Sequence, residues 1–153
     1  MASTPTTPPP SAPDGWAQLA RARVARLATI GPDEVPHLVP CCFAVEGLVA
    51  YSAVDDKPKR TFRLQRLANV AARGVATLLV DHYDEDWTQL WWVRAGGPAR
   101  QVGALDEHER AVRLLRAKYP QYHRHRLDGP VLAVELVAWR TWAATPTAWD
   151  AGA

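Results

Sequence analysis

The chain has 153 residues, 48% of them apolar, and a net charge of +2. That is enough for one domain with its own core and too little charge excess for a nucleic-acid protein by bulk charge. Scattered Arg and Asp, a mean hydropathy of −0.22 and the lack of any apolar run near the roughly 18 residues of a span exclude a helical membrane protein. The two cysteines, Cys41 and Cys42, are adjacent and close no useful disulfide loop, which suits a reducing, cytoplasmic compartment.

Seven tryptophans are many for this length, and five of them (Trp87, Trp91, Trp92, Trp139, Trp142) fall in segments that read as strands. Basic charge is carried by fifteen Arg and three Lys, so each Lys stands out.

Residues 1–13 are Pro, Thr, Ser and Ala with little to bury and read as a disordered tail. The folded domain is expected over 14–147, with a short C-terminal tail at 148–153. Asp14-Gly15 opens a helix to about Arg23 that buries Trp16, Leu19 and Ala20. Three strands follow, at 24–30, 35–45 and 48–53, joined by Gly31-Pro32-Asp33-Glu34 and Glu46-Gly47 as turns. Pro36 and Pro40 lack an N–H, so the second strand is expected at a sheet edge or bulged.

Lys57-Pro58 reads as a helix start, with the helix running to about Ala72 and stopping at Arg73-Gly74. At 100° per residue Lys59, Arg63 and Arg66 share one stripe and Leu64, Leu67, Ala68 and Ala71 the buried one. An apolar, central strand is expected at 75–80 and an aromatic strand from Trp87, continuing past Gly96-Gly97 to Val102. Asp106 and Glu109 make a capping-box pattern for a helix ended by Pro120. One long strand at 131–142 closes the chain. The order β-β-β-α-β-β-α-β predicts a mainly β, α+β domain: an antiparallel barrel flanked by helices.

Residues 57–73 carry six cations and no acid. A net charge of +2 overall therefore leaves −4 for the rest of the chain. Such focused charge beside a helix start and Tyr51-Ser52 suits an anion, above all a phosphate; the plainer reading is a solvated helix face.

Several motifs together carry a resemblance. They are Leu27-Ala28-Thr29-Ile30, Val35-Pro36-His37-Leu38-Val39-Pro40, Val49-Ala50-Tyr51-Ser52, Lys57-Pro58-Lys59-Arg60 and Arg66-Leu67-Ala68-Asn69-Val70. The set resembles the pyridoxamine-phosphate-oxidase-like, FMN-binding split-barrel superfamily over about residues 16–145. Leu78-Leu79-Val80-Asp81-His82-Tyr83 with Trp87 and Leu90-Trp91-Trp92-Val93-Arg94 is similar to its actinobacterial, F420-dependent branch. The resemblance implies a six-stranded antiparallel split barrel forming a homodimer with the cofactor between subunits. It places the cofactor's phosphate near Ser52, Lys57, Lys59, Arg66 and Asn69, and its ring near Pro40, Cys41 and Trp87. The family's usual helix Lys is here Arg66, which keeps the charge.

The implied activity is hydride transfer between coenzyme F420 and a small organic substrate, with FMN as the alternative cofactor. A non-catalytic carrier of flavin, deazaflavin or haem is the reading from another class. A longer anionic tail matches a longer basic track, and Lys59, Arg63 and Arg66 span about 10 Å at helical rise, which favours F420. No acid, base or metal ligand is assigned, because the cofactor supplies the chemistry. His37 reads as structural, His123-Arg124-His125 as a loop, and Cys41 and Cys42 as non-catalytic thiols. Trp91 and Trp92 should alternate between core and groove, and Trp139 and Trp142 should serve core or interface.

Overall fold

A computed structural model of the chain describes residues 6–54 and 64–152. Among the described residues there are three α-helices, α1 (Trp16–Arg21), α2 (Gln65–Arg73) and α3 (Leu105–Lys118). The strands are β1 (Ala25–Ile30), β2 (Pro36–Cys41), β3 (Ala44–Glu46), β4 (Val49–Ala53), β5 (Val75–His82), β6 (Trp91–Gln101), β7 (Val131–Glu135) and β8 (Ala138–Ala143). All pair antiparallel in the order β2-β1-β5-β6-β7-β4-β3, with β8 added to β6, and curl into a split half-barrel.

Eight strands replace the six expected because two long runs break. Between β2 and β3 the backbone of Phe43 leaves the ladder: its N–H donates to the Tyr119 hydroxyl (3.0 Å), which in turn donates to the Phe43 carbonyl (2.8 Å). Between β7 and β8 the chain crosses the barrel, with Leu136 N–H bonded to Leu48 O and Val137 N–H to Gly96 O. This crossing is why β6 pairs with β8 through Trp91–Gly96 and with β7 through Ala99–Gln101. Gly97 sits at the handover, where a Cβ would lie 2.5 Å from Glu135 O and 2.6 Å from Val137 Cγ2.

Pro-rich β2 lies at one end of the order and β5 in its interior, as their sequences predict. The aromatic strand begins at Trp91, not Trp87; Trp87 opens a short 3-10 turn whose start is capped by Asp86, accepting from Thr88 N–H. The capping box also fails to form. Helix α3 starts at Leu105, after Ala104, so Asp106 falls inside the first turn, where a carboxylate still suits the helix dipole.

Two cores result. Inside the barrel lie Leu19, Leu27, Phe43, Val45, Leu78 and Val93 with their neighbours. Trp16 seals one side, its indole donating to Gly47 O at 2.8 Å. A second core under α3 joins Leu115, Tyr119, Tyr122 and Leu127 to Tyr51 and Val131. Strands β4 and β7 contribute alternate residues to each core, so β7 is buried on both faces and reads as a continuous apolar run. Ala12 and Trp149 also pack against the barrel core, and the Trp91 indole donates to Ala151 O.

Helix α2 turns a different face inward from the one its pattern predicts. Asn69 and Val70 are buried while Ala68 and Ala71 are exposed. The cause is a polar anchor: Asn69, 2% exposed, donates through Nδ2 to Thr29 Oγ1 (3.0 Å) and accepts from Gln65 at Oδ1 (2.7 Å). Thr29 is equally buried on β1. A buried amide with its partners in place costs little, so it can rotate the helix away from its purely apolar stripe.

Candidate functional site

Cys41 closes β2, at one end of the sheet order, and Ser52 sits within β4, beside β3 at the other end; the Cys42-Phe43 link draws them together. Ser52 Oγ donates to Cys42 O at 2.9 Å, tying β4 to this link. Burial pushes the Cys41 thiol up to about 11, against the opposing pull of the Ser52 side chain and the Arg66 guanidinium. Cys41 is therefore a buried, protonated thiol at neutral pH.

Of the residues singled out in the sequence, Cys41, Ser52 and Arg66 come together here, with Pro40 exposed one residue upstream on the edge strand. Arg66 is half-buried on the inward side of α2. Asn69 holds α2 to β1 through Thr29. Lys57 and Lys59 lie outside the described residues. Trp87, 69% exposed, opens the 3-10 turn after β5. Among the described residues no group of His, Cys, Asp and Glu could hold a metal.

The histidines take structural positions. His82 stacks on Trp91 with centroids 6.2 Å apart, and the ring nitrogens of His108 and His123 meet Gly129 O and Arg116 O. His37 Nδ1 is buried on β2 without a hydrogen-bond partner among the described residues. Trp91 is core and Trp92 half-exposed, the alternation expected of a strand.

The third lysine is the residue that motif reading passed over. Lys118 Nζ is buried without a hydrogen-bond partner among the described residues. It lies 4.1 Å from the Phe43 ring centroid and 5.4 Å from that of Tyr119. Burial, aided by the Arg23 charge, pulls its amine down to about 7. Arg23 itself covers the Tyr119 ring at 4.7 Å and donates to Lys118 O at 2.8 Å. An open basin of about 310 Å³ adjoins this cluster, lined by Arg23, Val24, Cys42 and Tyr119 among others. The scarcity of Lys in an Arg-rich chain was the one signal pointing to it.

Comparison with known proteins agrees with this fold. A family model described as pyridoxamine 5'-phosphate oxidase matches residues 16–143. No curated protein matches. Solved structures that share the fold include the following three. A conserved hypothetical protein of Mycobacterium tuberculosis is 21% identical, with TM-score 0.68, covering 82% of this chain and 80% of that one. A heme binding protein of Mycobacterium smegmatis is 16% identical, with TM-score 0.64, covering 87% and 57%. A FAD-binding protein of Mesorhizobium loti is 18% identical, with TM-score 0.55, covering 80% and 85%. With the family match spanning the barrel from α1 to β8, the chain belongs to the pyridoxamine 5'-phosphate oxidase family, a split-barrel family of flavin-binding, oxidoreductase type.

Proposed function

We propose that the protein is an F420-dependent oxidoreductase that transfers a hydride between the deazaflavin and a small organic substrate, with FMN as the alternative cofactor. The observation that carries this is the concentration of six cations and no acid in 57–73, a segment whose Arg66 is half-buried and whose charge is felt at the Cys41 thiol. A guanidinium and a serine hydroxyl converging on one thiol fit the phosphate end of such a cofactor. In this reading Ser52, Lys57, Lys59 and Arg66 hold the anionic end, and Asn69 fixes the helix that carries Arg66. Pro40, Cys41 and Trp87 border the ring. When bound, the deazaflavin supplies the hydride chemistry, while the chain binds, orients and excludes water.

A second copy completes the proposal. Sheet positions facing away from the barrel core include Leu38 (64% exposed), Ile30 and Leu79 on the neighbouring strands β2, β1 and β5. Exposed apolar side chains interspersed with Arg26, Asp81 and Arg94 suit a twofold partner, with the cofactor between subunits and the protein in the cytoplasm.

Absorption and fluorescence titration test the reading. Protein from a host lacking F420 should be colourless and should bind added F420. Replacing Lys57, Lys59 or Arg66 by Gln should weaken binding by about 10- to 150-fold, the equivalent of one lost charge-assisted hydrogen bond. Tightly held flavin bands would select FMN, a Soret band would select a haem carrier, and unchanged affinity in all three variants would reduce the basic segment to surface.

A further inference from the structure

Away from the Cys41 cluster, two arginines confront each other on the outer surface of the sheet. Arg94 of β6 and Arg140 of β8 are register partners, both exposed. Like charges directly opposite on antiparallel strands destabilise the pairing. The other arginine on this face is neutralised: Arg26 of β1 bonds Asp81 of β5 at 3.1 Å. Asp81 is also the acid that the register brings diagonally beside Arg94, being opposite Trp92, but its carboxylate is engaged by Arg26. Among the described residues neither Arg94 nor Arg140 has a carboxylate partner. Arg94 instead lies over the Trp92 ring at 5.9 Å, and Arg140 donates to the adjacent Trp139 O at 2.8 Å.

The pair borders an open basin of about 430 Å³ lined by Thr77, Arg94, Gly96, Ala138, Trp139 and Arg140. Its floor is bare for a structural reason. Gly96 and Ala138 are a register pair two positions along the strands, the next on the same face. A Cβ on Gly96 would meet Ala76 O and stand 2.7 Å from Thr77 Oγ1. The result is a concavity with a hydroxyl, two guanidinium forks and an indole at its rim, and a volume within the range of small-molecule sites.

We propose that Arg94, Arg140 and Thr77 form a binding site for an oxyanion group, phosphate or carboxylate, borne by a small molecule. Two planar forks present a matched set of donors to such a group, and the bound anion removes the repulsion that the empty register pair carries. Within one copy the site is separate from the Cys41–Ser52–Arg66 cluster, and it adjoins the face proposed for the twofold partner, Arg94 being the register partner of Leu79.

The test uses the full chain in low-salt buffer free of polyvalent anions, titrated separately with inorganic phosphate and with acetate by calorimetry and thermal unfolding. At least one anion should bind and raise the melting temperature; which one binds tighter identifies the group. Arg94→Gln and Arg140→Gln should each weaken binding about tenfold or more. Without anion, both variants should melt no lower than the wild type, because the repulsion is gone. Arg66→Gln should retain the binding, which separates this site from the proposed cofactor site. The proposal is overturned by wild-type affinity in both Arg94 and Arg140 variants, by loss of binding in Arg66→Gln, or by no binding of either anion. It is equally overturned if Arg94→Gln dissociates a dimer that neither anion affects, for then a carboxylate of a second copy occupies the pair.

Discussion

Lys118 carries a conflict between two terms. Its stem runs along the last turn of α3, where a cation suits the helix dipole, yet its amine ends under Phe43 without a hydrogen-bond partner among the described residues. Ring attraction favours the charged form by roughly 0.5–2 kcal/mol, while desolvation opposes it and wins, bringing the amine from 10.5 to about 7. A lysine that titrates lower in the folded chain takes up a proton on unfolding. Stability should therefore be flat below about pH 7 and rise from there toward pH 10.5. Lys118→Met should be more stable than wild type by about 1–3 kcal/mol at pH 6, with the gap shrinking by pH 9–10. Urea unfolding at three pH values measures this, and a less stable variant at every pH would show the ring contact to dominate. Asn69 is the opposite case, a buried polar group with its partners in place. Asn69→Ala strands the Thr29 hydroxyl and should cost about 1–3 kcal/mol. The Thr29→Val/Asn69→Leu pair should cost less than the two single changes together, which a double-mutant cycle reads directly.

At the scale of elements, α3 is fixed to the sheet by Glu107. Its carboxylate takes both Arg100 Nη donors, at 2.8 and 2.9 Å, and the Tyr51 hydroxyl at 3.0 Å, joining helix, β6 and β4. The Arg100 bonds come first in holding this carboxyl below its ordinary 4.5. The stability that it contributes is present above pH 4.5 and lost as pH falls through the lowered value. Because Arg100 is half exposed, Glu107→Gln should cost only about 1 kcal/mol at pH 7, with wild type and variant converging by pH 3. Strand β6 depends on a different feature. Gly97→Ala would force a Cβ into Glu135 O, so the β7–β8 crossing must shift. A loss of about 3 kcal/mol is expected by calorimetry, with Gly47→Ala, where a Cβ meets nothing within 4 Å but φ is positive, costing about 1 kcal/mol.

For the whole molecule, the proposed twofold partner would cover the outer face of β2, β1 and β5, where Leu38, Ile30 and Leu79 are exposed. Light scattering at micromolar concentration should return twice the 16.9 kDa chain mass. Leu38→Glu, which buries a charge in any face-to-face dimer, should shift it toward monomer while leaving the barrel core intact. A wild-type mass of one chain would remove the twofold partner and the intersubunit cofactor site together.

Local pattern alone settled most element types, the hairpin turns, the edge position of the proline-bearing β2 and the basic concentration at 57–73, but not the 3-10 turn at Trp87 or the start of α2, which falls at Gln65 after an extended Leu64. Period-two alternation, proline's missing donor and charge counting each act over a few residues, so they are readable without a fold. Four features were decided by tertiary contacts. Strands β2 and β3 separate because the Tyr119 hydroxyl, 76 residues away, takes the Phe43 backbone from the ladder. Helix α2 turns its amide inward because Thr29, 40 residues away, awaits it. Lys118 loses its water to Phe43, and Arg94 meets Arg140 because the β7–β8 crossing fixes the register. Each depends on a partner distant in sequence, and a partner's identity enters no propensity or periodicity; only the closed barrel brings those groups within a bond's length.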